Sequence, residues 1–468
     1  MNADSSIDAL KKPASSPAFR AILYPTYSIG SALNHFFRRR IRPAGMGLLI
    51  LGLVITCLAG GQPPGKETNP IFMALSFGFT LGVMALVALP FRRARLEITR
   101  DLPKHATAGE TLKIRYRVKN LARLPLRNAW LAETPPDSRP AKSTFQFAQE
   151  PGEESRNAFD RIFSYYCWSW LQDKRLAFDF GQAGDPIDLQ AGATHTFHSE
   201  ITPRRRGLIR LDDLRLLLPD PFGLYQRCAR VNAPAATLAV LPQRHQLPVF
   251  ELPGSARFQP GGDAAARNTG PSGDFVGLRE YRSGDPLRLI HWKSWARTGQ
   301  PIVKELEDTF FPRHGLVLDT FPDAGDEDLF EGAVTVAASF VAAVDTRECL
   351  IDLMFISGRE RVVTAGRGVG RAETLLEVLA GVEFSPEPQF DSLNKLVLRH
   401  AEDLAGCLAI FSGWSDERAK LLQRISSFGI EIAAIVVCHT PPKSRPPRVH
   451  FIRAARIAED LMRLPTNL

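Results

Sequence analysis

Gly315-Leu316-Val317-Leu318-Asp319 is a short apolar run ending on an acid, and the segment Glu327 to Val344 after it carries a helical apolar period. The alternation continues downstream. Strands are predicted at Leu350 to Ile356, Arg361 to Ala365, Cys407 to Phe411 and Ile430 to Val437, with helices at Arg371 to Val382, Leu393 to Leu404 and Ser415 to Phe428. Apolar strands alternating with helices predict a mostly parallel, doubly wound α/β sheet over residues 313–440. Ligands in such sheets sit at the carboxyl ends of strands, where the winding reverses. The rim candidates are therefore Asp319, Asp323, Ser412, Ser415 and Asp416. Asp319 and Asp323 could help hold a hard divalent ion such as Mg2+. Capping of the next helix by Asp323 or Asp326 is the plainer expectation.

Immediately upstream, Gly273 to Thr298 reads GDFVGLREYRSGDPLRLIHWKSWART. Its charged residues Arg279, Arg282, Asp285, Arg288, His291, Lys293 and Arg297 are interleaved with Tyr281, Trp292 and Trp295. Gly284-Asp285-Pro286 predicts a turn into a helix, with Asp285 capping and Pro286 in the first helical position. The apolar residues that follow share no single 3.6-period face, which predicts cover on several sides and buried charges that pair with one another. The segment is expected to be a structural or partner-binding network. An acid/base pair of Asp285 and His291 is the enzymatic alternative, although a spacing of six does not put them on one helical face. Before it, residues 251–272 are rich in Gly, Pro and Ala and read as a linker.

The 468 residues suffice for two to four domains. The net charge of +8 lies wholly in residues 1 to 100, which hold 12 Lys+Arg against 4 Asp+Glu. That placement argues against nucleic acid and for a membrane. Ala44 to Gly61 and Ile71 to Phe91 are uncharged, and as helices would be about 27 and 31 Å long against a hydrocarbon core of about 30 Å. Arg38, Arg39, Arg40 and Arg42 precede the first run, and Arg92, Arg93 and Arg95 follow the second. The positive-inside rule then predicts a transmembrane hairpin over 43–93 in the inner membrane, with both termini cytoplasmic. Residues 1–42 are expected to be a mobile basic segment at anionic headgroups.

Between hairpin and linker, Leu112, Ile114, Tyr116 and Val118 alternate with Lys113, Arg115, Arg117 and Lys119, the period of a strand with one wet face. Further strands are predicted at Leu96 to Arg100, Thr194 to Thr202, Leu208 to Leu218 and Leu238 to Leu241. Residues 94–250 are thus expected to form an antiparallel β-sandwich-like domain. Its irregular middle holds Phe163, Tyr165, Tyr166, Trp168 and Trp170, read as a satellite core. The six cysteines are dispersed without a C-x-x-C pair, which fits a reducing compartment. Gly366, Gly368 and Gly370 lack the nucleotide-binding spacing and read as a turn; no phosphate-loop, zinc or nucleophile-elbow motif occurs.

The run Arg279 to Thr298, with Pro301-Ile302-Val303-Lys304-Glu305 downstream and Arg206-Gly207-Leu208 and Asp220-Pro221-Phe222-Gly223-Leu224 upstream, resembles the bacterial family named domain of unknown function 58. The resemblance implies a von Willebrand factor A-like region at 313–440 ahead of a tail at 441–468. It also implies genomic company with MoxR-type AAA+ ATPases and transglutaminase-like membrane proteins, and no established catalysis. In metal-binding A domains the first strand ends in Asp-x-Ser-x-Ser; here Phe321 and Asp323 replace the serines. The expectation is a non-enzymatic, membrane-anchored adaptor without a cofactor. A divalent-metal-dependent binding module is the alternative.

Overall fold

The computed structural model describes residues 15–47, 50, 95–150, 152–179, 184–219, 223–254, 274–307, 312–322, 326–344, 349–366, 371–385, 390–442 and 445–466. They fall into two compact units that divide between Leu241 and Pro242.

The first unit begins with α1 (Pro17–Arg40) and continues with β1 (Leu96–Asp101), β2 (His105–Thr107), β3 (Leu112–Asn120) and β4 (Leu126–Glu133). Three helices follow: α2 (Lys142–Phe147), α3 (Ala158–Phe163) and α4 (Tyr165–Arg175). Then come β5 (Ile187–Leu189), β6 (Thr194–Ile201), β7 (Gly207–Leu211), β8 (Leu214–Pro219), β9 (Gln226–Arg230) and β10 (Ala236–Leu241). Instead of two facing sheets, the strands form three small ones, ordered β1-β3-β6, β2-β10-β7 and β5-β4-β8-β9. Alternation does the sorting. In β3 Ile114, Tyr116 and Val118 are buried while the lysines and arginines between them are exposed. The inward side chains join Ile98, Leu131, Ile187, Phe197, Leu211, Leu216 and Val240 in one core, each burial worth about 1.5–3 kcal/mol. Glu133 is also buried there, accepting from Tyr116 Oη at 2.9 Å and Arg100 Nε at 2.8 Å. Burial raises its carboxyl pKa, while Arg100 and Tyr116 pull the other way.

The segment expected to be mobile is instead a built part of this unit from Ser15 to Arg40. Ser16 caps α1 by accepting from the Phe19 amide, Pro17 needs no amide partner, and Arg38 to Arg40 lie in the last turn, where the helix dipole favours cations. Arg20 is fully buried: it donates to Ser15 Oγ at 2.7 Å, to Glu153 Oε1 at 2.6 Å, and to the carbonyls of Phe145 and Ala148. On the following turns Leu23, Tyr24 and Tyr27 pack on Phe145, Cys167, Trp168 and Leu171. Tyr24 and Phe145 meet the Trp168 ring edge-on at 5.6 and 5.2 Å. The aromatic run of the insertion is thus a satellite core that α1 completes. Composition pointed to disorder because the Ser/Pro/Ala content masked a stripe of Arg20, Tyr24, Tyr27 and Ser31 at helical spacing.

A second correction concerns the membrane. No helix among the described residues is long and apolar enough to cross one. The fold is a mixed α/β arrangement of several sheets, and neither the transmembrane hairpin nor the two-span inner-membrane location is supported. Nearly all of the two apolar runs, 44–61 and 71–91, lies outside the described residues.

In the second unit β11 (Asp274–Glu280) and β12 (Ile302–Glu307) form an antiparallel pair, with α5 (Trp292–Thr298) in the connection. Then follow β13 (Arg313–Leu318), α6 (Glu327–Ala343), β14 (Leu350–Ser357), β15 (Arg359–Ala365), α7 (Ala372–Ala380) and α8 (Phe390–His400). The chain closes with β16 (Gly406–Ser412), α9 (Asp416–Ser427), β17 (Glu431–Cys438), β18 (Val449–Arg453) and α10 (Ile457–Leu461). The six-stranded sheet runs β15-β14-β13-β16-β17-β18 and is parallel apart from β15. The order therefore reverses between β13 and β16, the doubly wound switch point. Residues 242–254, expected to end the β-domain and begin a linker, belong to this unit. The His245 amide donates to Ser339 Oγ at 2.9 Å and Phe250 meets Phe340 at 5.0 Å. Gly406 is required here, since a Cβ would stand 1.7 Å from the Pro253 carbonyl oxygen. The rest of the expected linker, the turn at Gly368 and Gly370, and Asp323 lie outside the described residues.

Candidate functional site

Two places in the second unit gather the residues that the sequence singled out. The first is the connection between β11 and β12. Arg279 lies on β11 and donates through Nη1 and Nη2 to the two oxygens of Asp285, both at 2.7 Å. The Arg282 amide donates to the same carboxylate at 2.8 Å. This grip closes a turn in which Gly284 has φ +108°, the left-handed region that favours glycine. The Arg279 side chain, then the Arg282 amide, hold the Asp285 pKa down to about 2.

Asp285 thus caps no helix after it. It secures the turn before it, and α5 starts only at Trp292, with a 3-10 turn over Leu287–Leu289 between. His291 Nδ1 lies 2.7 Å from Ser294 Oγ. With Asp285 engaged by Arg279 and His291 by Ser294, no hydrogen bond joins the proposed acid/base pair among the described residues.

The segment is also more open than its aperiodic apolar residues predicted. Ile290 and Val303 are buried and form a bridge that seats the connection on β12, and the His291 amide donates to the Ile302 carbonyl at 2.8 Å. Arg282, Arg288, Lys293 and Arg297 are exposed. Leu287 is 67% and Trp292 65% exposed, and the Trp292 ring stacks on Trp295 with centroids 5.2 Å apart and planes 19° apart. Among the described residues the expected network therefore reduces to one ion pair, Arg279 with Asp285, and to exposed aromatic and cationic side chains. Tyr281 is partly buried, its amide tied to the Pro301 carbonyl at 3.0 Å.

The second place is the switch point. Asp319 follows β13 and Ser412 ends β16, and both are fully buried. The Phe321 amide donates to Asp319 Oδ1 at 2.9 Å; the Ser412 amide and hydroxyl donate to Oδ2 at 3.2 Å. Arg418 on α9, also buried, donates through Nε to Oδ2 at 2.8 Å. Its Nη2 reaches the carbonyls of Phe321 at 2.6 Å and Ser412 at 3.4 Å, and its Nη1 lies 3.3 Å from Ser415 Oγ. Burial raises the Asp319 pKa, opposed by Arg418 and the two amides.

Asp319 as placed here is already occupied, and Asp323, the other residue expected to hold a divalent ion, lies outside the described residues. Asp319 already has a cation, the guanidinium, and a metal at the same oxygens would face its charge directly. Phe321 is buried against Phe390 and offers no ligand. Among the described residues no cluster of three His, Cys, Asp or Glu could hold a metal. Asp326 caps α6, accepting from the amides of Asp328 and Leu329, and also pairs with His439 at 2.6 Å. Asp416 opens α9, where its charge suits the helix N-terminus. Arg418 escaped the sequence reading because nothing local marks an arginine on an amphipathic helix as buried. Its one sequence signal is position, six residues after the end of the strand beside β13.

Residues 277–447 match the model of a family described as Protein of unknown function DUF58. That span holds most of the β11–β12 pair and the six-stranded sheet up to β17. No curated protein matches the chain. Among solved structures, the chain is similar to the manganese-loaded TRAP protein of Plasmodium vivax at 10% identity, over 32% of this chain and 72% of that one, with a TM-score of 0.25. It is similar to a beta-glucosidase from Listeria innocua at 15% identity, over 31% of this chain and 16% of that one, with a TM-score of 0.16. Neither likeness is close enough to carry function across.

Proposed function

We propose that the protein is a non-enzymatic adaptor that docks an acidic segment of a partner protein on the connection between β11 and β12. One observation carries this reading: the connection that carries the Trp292–Trp295 stack also carries Arg282, Arg288, Lys293 and Arg297, all four of them exposed. Tryptophan and arginine dominate binding energy where they become buried between proteins. Four outward cations with no carboxylate partner among the described residues select an acidic occupant and steer it in. The Arg279–Asp285 clamp and the Ile290–Val303 bridge hold the surface in shape before any partner arrives, which lowers the entropic cost of binding. The sequence resemblance nominates a MoxR-type AAA+ ATPase as that partner, with a transglutaminase-like membrane protein as a further companion. The von Willebrand factor A-like reading of the six-stranded sheet belongs to the same proposal and is supported by its doubly wound strand order.

The test is affinity purification of the tagged full chain from cells that contain the ATPase, compared with Trp292→Ala and Arg288→Glu. Wild type should recover the ATPase and each variant, folded as judged by circular dichroism, should lose most of it. Equal recovery by all three, or a wild type that always comes out alone, sinks the proposal.

A further inference from the structure

In the first unit a cleft of about 400 Å³ opens where α1, the segment after β4, and strands β8 and β9 meet. Four arginines line it, Arg39, Arg40, Arg139 and Arg215, with only two carboxylates, Asp137 and Asp213. Both carboxylates are already engaged by their neighbours. Arg139 grips Asp137 through Nε and Nη2 at 2.6–3.0 Å, and Arg215 grips Asp213 through Nε and Nη2 at 2.8–2.9 Å. Arg39 donates to His35 Nε2 at 2.7 Å, one turn back on the same face of α1. The positive field there is visible in the imidazole. Burial lowers the His35 pKa, and Arg39, Arg139 and Arg38 lower it further against a weaker pull from Asp137.

A separate observation points the same way. Thr134 lines the cleft at 7% exposure, and its buried Oγ1 has no hydrogen-bond partner among the described residues. Buried hydroxyls are seldom left so, because the hydrogen bond given up to water on burial is then not replaced. A ligand acceptor oxygen would supply what is missing.

We infer that this cleft is a binding site for a small phosphate-bearing anion, held by Arg39, Arg139 and Arg215 with Thr134 Oγ1 as an additional donor. Arginine forks suit the oxygens of phosphate, and the arginines here are fixed before binding by Asp137, Asp213 and His35. The volume lies within the range of small-molecule sites, about 300–1,000 Å³. The site lies wholly in the first unit and stands apart from the docking surface proposed above, so either can fail alone.

Inorganic pyrophosphate is the probe, titrated calorimetrically into the full chain at low ionic strength, where surface charge effects are largest and must be controlled. The expected result is saturable binding that Arg39→Gln and Arg139→Gln each weaken at least about tenfold, roughly the worth of one charge-assisted contact. Thr134→Val should weaken it several-fold, and Arg424→Gln, an exposed residue on α9 of the other unit, should leave it unchanged. Absence of saturable heat overturns the inference, as does wild-type affinity in the arginine variants or an equal loss in Arg424→Gln. Should an arginine variant fail to fold, Thr134→Val decides, because it removes only the hydroxyl: unchanged affinity there overturns the assigned site.

Discussion

Replacing Arg418 by methionine should cost the second unit about 3–5 kcal/mol, the range for removing one partner of a buried ion pair. The Arg418 and Asp319 side chains are 4% and 0% exposed, so water cannot take over the orphaned charge. Methionine keeps most of the volume but leaves the Asp319 carboxylate with amide and hydroxyl donors alone, and frees the carbonyls of Phe321 and Ser412. Because domains are typically stable by about 5–15 kcal/mol, the loss is a large part of the total. The assay is native-state hydrogen exchange read at the amides of β16 and β17, which report this unit alone. Asp319→Asn should be costly for the same reason. The double variant Asp319→Asn/Arg418→Met should be less destabilised than the sum of the two, since no charge is then left buried without its partner. A loss below about 1 kcal/mol for Arg418→Met, or strict additivity in the double variant, would refute the claim that the guanidinium neutralises the switch point.

Arg20→Met should destabilise the first unit by a similar amount, about 3–5 kcal/mol, because Glu153 is then stranded at 4% exposure; unchanged exchange protection of α4 would count against the pair. Arg297→Ala should move stability by less than about 0.5 kcal/mol, as expected of an exposed side chain, and a loss above 2 kcal/mol in urea denaturation would mean a buried partner. Asp285 should titrate near pH 2 by carbon NMR. Its folded pKa is depressed, so its contribution to the turn is complete above the ordinary value of about 3.8 and fades as pH falls through about 2. Arg279→Gln should return the titration towards the ordinary range, and an unmoved value would assign the shift to something other than the guanidinium.

Strand placement was the most legible part of this chain, because a period of two or a short apolar run needs only neighbours to be read. β3 alternates as expected, and the strands and helices from β13 to β17 lie within a few residues of their predicted positions, whereas the strands β11 and β12 were not foreseen. Leu208 to Leu218 was read as one strand but is β7 and β8, broken at Asp212 and Asp213, two adjacent acids that mark the turn. Helix α2 was missed because six residues carry no period; it is held by α1, over a hundred residues earlier in the chain. Buried charge was the least legible. The run around Asp285 was expected to be enclosed because it mixes aromatics with ions, yet among the described residues the arginines enclosed with a carboxylate are Arg20, Arg100 and Arg418. Each is ordinary by composition. What distinguishes them is a carboxylate brought from elsewhere in the chain, and that pairing is a product of tertiary structure.

The Arg20–Glu153 contact has a kinetic side. Its partners are 133 residues apart in the chain, and closing so long a loop costs entropy that no local contact returns. During synthesis α1 emerges first and must wait, with Leu23, Tyr24 and Tyr27 uncovered, until the tryptophan-bearing helix has left the ribosome. The first unit should therefore fold late and as a whole, its amino-terminal helix being among the last pieces to become protected from exchange with solvent.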